Sequence, residues 1–203
     1  MKNFFIITFF LFISNNYSAQ NIYDVSVNLL IEYLEIKYPN KNFSDFIYIG
    51  IKRQKLFLIK DRSLSKYYPI SSSKSGVGNI QDSGKTPLGL HKIYKLYGDD
   101  VPLGGVFKTR IYTGKIALIE KDAVNTNLDI ISSRIITMKG LEKGFNTGRD
   151  IDSYKRNIYI HGTNEEGLIG TAVSHGCIRL KNIDVIDLYS KVKKDMLIVI
   201  LNN

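Results

Sequence analysis

The 203-residue chain has one cysteine, no tryptophan, four prolines and three histidines. A single cysteine excludes an internal disulfide framework, and it leaves out the paired cysteines of structural zinc sites. Four prolines and no low-complexity tract offer no linker at which to divide the chain, and no internal repeat is present. After the first twenty residues no apolar run is long enough to cross a membrane. Acidic residues are in deficit: 19 Asp and Glu face 28 Lys and Arg, a formal charge of +9.

What is present begins with "MKNFFIITFFLFISNNYSAQ". Lys2, an apolar run from Phe4 to Ile13, and the small residues Ser18 and Ala19 have the layout of a secretory signal peptide. Residues 1–19 are expected to be removed, and the run is too short for a comfortable membrane span. The remainder, about 184 residues, is enough for one domain with a real core. Its charge of about +8 suits an anionic partner such as a polysaccharide, a cell wall or a membrane surface. Nucleic acid is not expected, because no long basic run supports it and export opposes it. The expected location is outside the cytoplasm, in a periplasm or cell wall, without stable membrane insertion once the signal is cut.

The pattern of apolar residues predicts a mainly β chain with a few short helices, in a small sandwich or open barrel. A helix over about 24–38 has Asp24 as cap, Val27, Leu30, Ile31 and Leu34 on one face, and Pro39 as its stop. Strands are expected at 46–52, 55–61, 66–74, 89–97, 115–120, 133–138, 157–162 and 196–201, the first two joined by a hairpin turn at Arg53 and Gln54. Pro69 argues that the third lies at an edge or an end. A second helix, 182–192, has Asn182 as its cap. Glycine-bearing stretches 75–89, 97–114 and 141–152 read as loops that wall a cleft or as insertions.

The lone thiol then poses the chemical question. Cys177 stands in "AVSHGCIRL", after Gly176, which permits a sharp turn and leaves bare amides for an oxyanion. In an exported chain an unpaired cysteine is either an inert packed residue or a reactive thiol. A nucleophilic thiol needs a base, and a base normally comes from another element. His161, at the end of a strand sixteen residues upstream, suits that role better than His175. His91 has no such company and reads as structural. No carboxylate obviously completes a triad: Asp184 and Asp187 fit the polar face of a helix, and a backbone carbonyl is the alternative orienting group. A zinc site is weakly supported, because His161, His175 and Cys177 lack the spacing of structural sites. Arg179 has a fork suited to a carboxylate and reads as a substrate-binding or bracing residue.

These residues resemble a known family. "IHGTNEEGLIGTAVSHGCIRL", Ile160 to Leu180, is similar to the signature of the L,D-transpeptidase catalytic domain, the YkuD-like family, at His161, Gly162, Ser174, His175, Gly176, Cys177 and Arg179. "SGKTPLG" (83–89) and "DSYKRNIYIHGT" (152–163) add to the likeness, which runs from about Phe46 to Leu201. The resemblance implies one catalytic domain over 20–203, with its core at about 46–201. It implies a transferase of peptidoglycan biosynthesis and cell wall organization, with consequences for cell shape. Cys177 would attack the bond between the third residue of a stem tetrapeptide and the terminal D-Ala, leaving a thioester. An amine of a second stem, or of a wall-linked protein, would then accept the acyl group. His161 would be the general base and the Gly162 carbonyl would orient it. Amides around Gly176 and Cys177 would form the oxyanion hole, with His175, Ser174 and Arg179 in support. No metal or organic cofactor is called for, because exchange of peptide bonds conserves the energy of the cleaved bond.

Two features stand apart. No wall-binding repeat accompanies the domain. The segment 97–152 is long for a simple catalytic core and is expected to form a lid over the acceptor. The competing readings are an L,D-carboxypeptidase or another cysteine hydrolase of wall-linked peptides, and a non-catalytic wall-binding module. The module predicts a Cys177 that is inert to thiol reagents at neutral pH.

Overall fold

The computed structural model describes residues 25–203. The expected signal peptide and the Asp24 cap lie outside the described residues. Two compact units follow along the chain. The described part of the first holds residues 25–45 and Ile59–Ser65, and the second holds Phe46–Leu58 and Lys66–Asn203.

In the first unit the helix α1 runs from 25 to 37. Val27, Ile31 and Leu34 are buried at helical spacing, as the sequence predicts. The helix stops ahead of Pro39, whose ring disfavours helical backbone in the residue before it. Arg62 holds Glu35 at 2.5 Å, and its N–H donates to the Ser44 carbonyl.

The second unit is mainly β. Its strands are β1 (Phe46–Gly50), β2 (Lys55–Lys60), β3 (Ser63–Pro69), β4 (Gly89–Tyr97), β5 (Gly105–Lys108), β6 (Ile111–Ile116), β7 (Ile131–Gly140), β8 (Tyr159–Thr163), β9 (Ile178–Leu180) and β10 (Leu197–Leu201). β2 and β3 extend into the first unit. The strands form one sheet, ordered β3-β2-β1-β10-β4-β7-β5-β6, with β8 paired to β7 and β9 paired to β8. The helix α2 (Asn182–Lys191) packs on β7 and β8.

Alternation along the strands builds the core. Ile47 and Ile49, Leu56 and Leu58, Ile136 and Met138, Ile198 and Ile200 come from one face of β1, β2, β7 and β10. They cluster with Ile160, Ile178 and Leu180, and with Val185 and Leu188 of α2. Each such side chain contributes about 1.5–3 kcal/mol by leaving water. Because Ile160, Ile178 and Leu180 face this core, the alternate residues of β8 and β9 face the other way. Those residues are Tyr159, His161, Cys177 and Arg179.

Several expected elements are redrawn. The strand predicted at 115–120 is instead β6, which ends at Ile116, with only an isolated bridge from Glu120 to Glu165. Two short strands were not expected: β5 lies in a stretch that read as loop, and β9 in one assigned to no element. The segment 97–152 is not a simple insertion, since it contains β7, which pairs with β4, β5 and β8 at once. Pro69 ends β3, at the end of the sheet, as its missing N–H requires. Ser71 and Ser73 then bridge to Arg179 and Ser174, so the expected strand 66–74 is half edge strand and half a support for the cysteine loop. Among the described residues no helix is long and apolar enough to cross a membrane.

Candidate functional site

β8 and β9 run parallel, with Ile160 opposite Ile178 and His161 opposite Arg179. Cys177 immediately precedes β9 and comes level with Tyr159. The Tyr159 N–H donates to Cys177 Sγ at 3.4 Å, and the thiol donates to the Asn157 carbonyl at 3.5 Å. Nucleophile and base candidate thus share one face of two neighbouring strands, two residues apart in register.

The loop before Cys177 is held from several sides. Gly176 has φ of +130°, a conformation that favours glycine, and a Cβ there would come within 3.2 Å of Ile158. Ser174 is fully buried; its hydroxyl donates to the Cys177 carbonyl at 2.7 Å and accepts the Gly176 N–H at 3.2 Å. The Gly176 amide, expected to face an oxyanion, is therefore engaged by Ser174. Thr86, in the "SGKTPLG" segment, donates to the Gly176 carbonyl at 3.0 Å and accepts the Ser73 N–H.

His161 is 1% exposed. Its Nδ1 lies 2.7 Å from the Gly162 carbonyl, which fixes the proton on Nδ1 and leaves Nε2 with its lone pair. No described residue bonds to Nε2. Gly162 must be glycine, because a Cβ would stand 2.7 Å from the Asn182 and Ser132 oxygens. Burial lowers the His161 pKa below its ordinary value, against smaller opposing effects of Gly162 and Asp129.

The thiol is shifted the other way. Cys177 keeps partial exposure, but packing around the sulfur pushes its thiol up to about 12. The Tyr159 N–H, Arg179 and Arg156 oppose that rise, and Asp129 adds to it. Burial thus works against charge on both groups, raising the thiol and lowering the imidazole. Slow alkylation at neutral pH is then expected of an enzyme too, so thiol reactivity does not separate catalyst from binding module; turnover does.

His175 is mostly exposed, with Nδ1 on Asp129 Oδ2 at 2.6 Å. Asp129 Oδ1 in turn binds Arg179 at 2.5 Å, and the other arm of Arg179 binds Glu165 at 2.8 Å. Arg179 is 2% exposed with both terminal nitrogens on carboxylates, so its place is that of a brace between Asp129 and Glu165 and not of an open substrate clamp. Glu165 also accepts from the Thr126 N–H and hydroxyl.

Sequence reasoning missed Asp129, which reaches the site from a loop remote in sequence, and Glu165, which lies inside the signature stretch but carries no local sign of its ion pair. It also placed Asn182 as a cap. Lys181 holds that position, while Asn182 is buried: its Oδ1 accepts from Ser132 and Ser133 and its Nδ2 donates to the Thr163 carbonyl. The local signal for a cap was real, but three partners on β7 and β8 outbid it. His91 is fully buried on β4, with Nδ1 on the Gly89 carbonyl and Nε2 on Ser153. Among the described residues no cluster of three or more His, Cys, Asp or Glu is placed to hold a metal.

Comparison with known proteins fits this geometry. A Bacillus subtilis (strain 168) protein, YkuD, named for the L,D-transpeptidases, is 58% identical over 38 residues, which is 19% of this chain and 23% of that protein. The solved L,D-transpeptidase 3 of Mycobacterium tuberculosis, bearing a faropenem-derived adduct, has 14% identity and a TM-score of 0.50 over 78% of this chain and 60% of its own. An L,D-transpeptidase of Mycobacterium smegmatis has 17% identity and a TM-score of 0.49 over 78% of this chain and 58% of its own. The chain thus spans less than two thirds of these solved chains and under a quarter of the curated relative. The model of the L,D-transpeptidase catalytic domain, YkuD, matches residues 44–200, most of the chain, and the chain belongs to that family.

Proposed function

We propose that this chain is an exported cysteine acyltransferase that cross-links peptidoglycan stem peptides through a thioester on Cys177. The observation that carries this reading is a half-buried thiol on the same strand face as an imidazole whose Nδ1 is tied to a carbonyl and whose Nε2 is unengaged among the described residues. In the first half-reaction His161 Nε2 takes the thiol proton as sulfur attacks the carbonyl between the third stem residue and D-Ala. Backbone N–H groups of the Cys177 loop other than that of Gly176 hold the oxyanion. The C–N bond then breaks, His161 returns the proton to the leaving amine, and D-Ala departs. In the second half-reaction the amine of another stem attacks the thioester, His161 takes its proton, the C–S bond breaks and the thiol is regenerated. One peptide bond is broken and one is formed, so no external energy source is needed.

A thiol held high and an imidazole held low suit a scheme in which proton transfer is coupled to attack. The basic surface suits an anionic wall. The test is mass spectrometry of mature protein incubated with disaccharide-tetrapeptide, beside Cys177→Ala. Cross-linked dimers lacking one D-Ala, absent in the variant, are expected. Tripeptide monomers alone would replace the transferase by a carboxypeptidase, and unchanged substrate would overturn the reading.

A further inference from the structure

Among the described residues three arginines stand around the site, and they are engaged in different ways. Arg179 is spent on two carboxylates. Arg156, which also acts on the Cys177 thiol, has its terminal nitrogens on the Gly78 and Lys85 carbonyls at 3.1 and 2.6 Å. Arg110 differs from both. It reaches the site from the tip of the β5–β6 hairpin, where its guanidinium lies 4.9 Å from the Tyr154 ring centre and 5.3 Å from that of Tyr159. Nη2 donates to Asn157 Oδ1 at 2.8 Å, and Nε, like that of Arg179, is buried without a partner. No carboxylate pairs with it among the described residues.

The backbone that delivers Arg110 is strained. Lys108 pairs with Ile111, so Thr109 and Arg110 form a two-residue hairpin loop, and their φ values are +61° and +153°. Such loops favour Asn-Gly, because side chains resist positive φ. A threonine and an arginine there forgo an easier turn. Asn157 then ties the arginine to the chemistry. Its side-chain oxygen accepts from both Arg110 and the Tyr159 hydroxyl, while its main-chain carbonyl accepts the Cys177 thiol.

We propose that Arg110 is the substrate-binding residue that holds a carboxylate of the acyl-donor peptide beside Cys177. The flat guanidinium, kept in place by two tyrosine rings, offers a carboxylate the two-pronged contact that Arg179 and Arg156 no longer have free. This deepens the reading above and takes from it the peptide nature of the substrate. The carboxylate has two sources in such a donor: the terminal D-Ala, or a third residue that carries a side-chain acid.

The experiment measures equilibrium binding of stem tetrapeptides to the full mature chain carrying Cys177→Ala, so that no turnover intervenes. Arg110→Ala and Arg110→Gln are each expected to weaken the free-acid peptide about 10-fold or more. Peptides amidated at the D-Ala terminus, or at the third-residue acid, identify the source: the one recognised by Arg110 binds weakly to the parent and loses nothing more on substitution. In the chain that retains Cys177, the same substitutions raise KM and leave kcat within about threefold. Equal weakening of the free acid and both amides would make Arg110 a packing residue, and an unchanged affinity in both variants would also overturn the proposal. If the parent releases no D-Ala yet binding still depends on Arg110 and a carboxylate, the acyltransferase reading falls and this one stands.

Discussion

Two histidines of this chain are buried to nearly the same degree, and each has Nδ1 on a backbone carbonyl. They differ at the other nitrogen. His91 Nε2 meets the Ser153 hydroxyl at 2.9 Å, so every polar atom of the ring is satisfied. His161 Nε2 has no such partner, and its ring stands on the same strand face as Cys177 and Tyr159. Burial alone therefore does not mark a catalytic histidine; an oriented ring with one unspent lone pair does. Burial lowers both, with different opposing groups. It lowers His91 to about 4, whereas at His161 the Asp129 carboxylate joins the Gly162 carbonyl in opposing the fall.

The largest effect expected of any substitution is at the sulfur. Cys177→Ala should abolish D-Ala release in a mass-spectrometric assay while the melting temperature moves little, because a small side chain replaces a small one. Residual turnover at the wild-type rate would end the nucleophile assignment. Next, the two histidines should fail in opposite ways. His161→Ala is expected to cost about 10²–10⁴ in kcat/KM. His91→Ala should instead lose about 2–4 kcal/mol of stability, from a cavity and an orphaned Ser153, with kcat/KM of the folded fraction nearly unchanged. Equal losses of turnover would dissolve the contrast.

Acid separates the two sites more finely. In the fold His91 stays neutral down to about pH 4, while in the unfolded chain it takes up a proton below its ordinary 6.5. Its contribution is fully present above pH 6.5 and is lost as pH falls through 4, about 3 kcal/mol in all. Denaturation midpoints measured from pH 7 to 4 should show that slope, and His91→Gln should flatten it. Turnover follows His161 instead: the acid limb of kcat/KM should lie below pH 6.5, since burial depresses the base. A limb above 6.5 would place the controlling proton elsewhere. The smallest expected effect is at Asp129→Asn, which weakens the tie from His175 to Arg179 and should reduce kcat by about 10-fold with KM little changed, as loosened positioning would. Unchanged kcat would confine Asp129 to a surface role.

Much of the fold was legible because its signals are local. The helix at 25–37 follows from the spacing of Val27, Ile31 and Leu34. The strand at 89–97 matches β4 residue for residue, and the β-branched runs at 46–50 and 197–201 are strands because nothing else buries them so well. The short strands were not legible. Ile178–Leu180 is three residues long and is a strand only because β8 lies beside it. Residues 115–120 carry a good strand pattern, yet Leu118 is 90% exposed, since pairing stops at Ile116 and returns only as the bridge at Glu120.

The candidate site divides in the same way. The sequence by itself determined the cysteine, its glycine turn, the histidine with Gly162 behind it, and the family. Those residues lie within seventeen positions of one another, and short-range geometry constrains them. Only the tertiary structure decided that Arg179 is a brace, that Asp129 and Glu165 clamp it, that Asn182 is a buried hub and that Arg110 faces the same cluster as the thiol. Apart from Glu165, which lies between His161 and Cys177, each of these depends on where a remote loop or hairpin lands. That landing is set by the pairing of β7 with three other strands, and no local pattern encodes it.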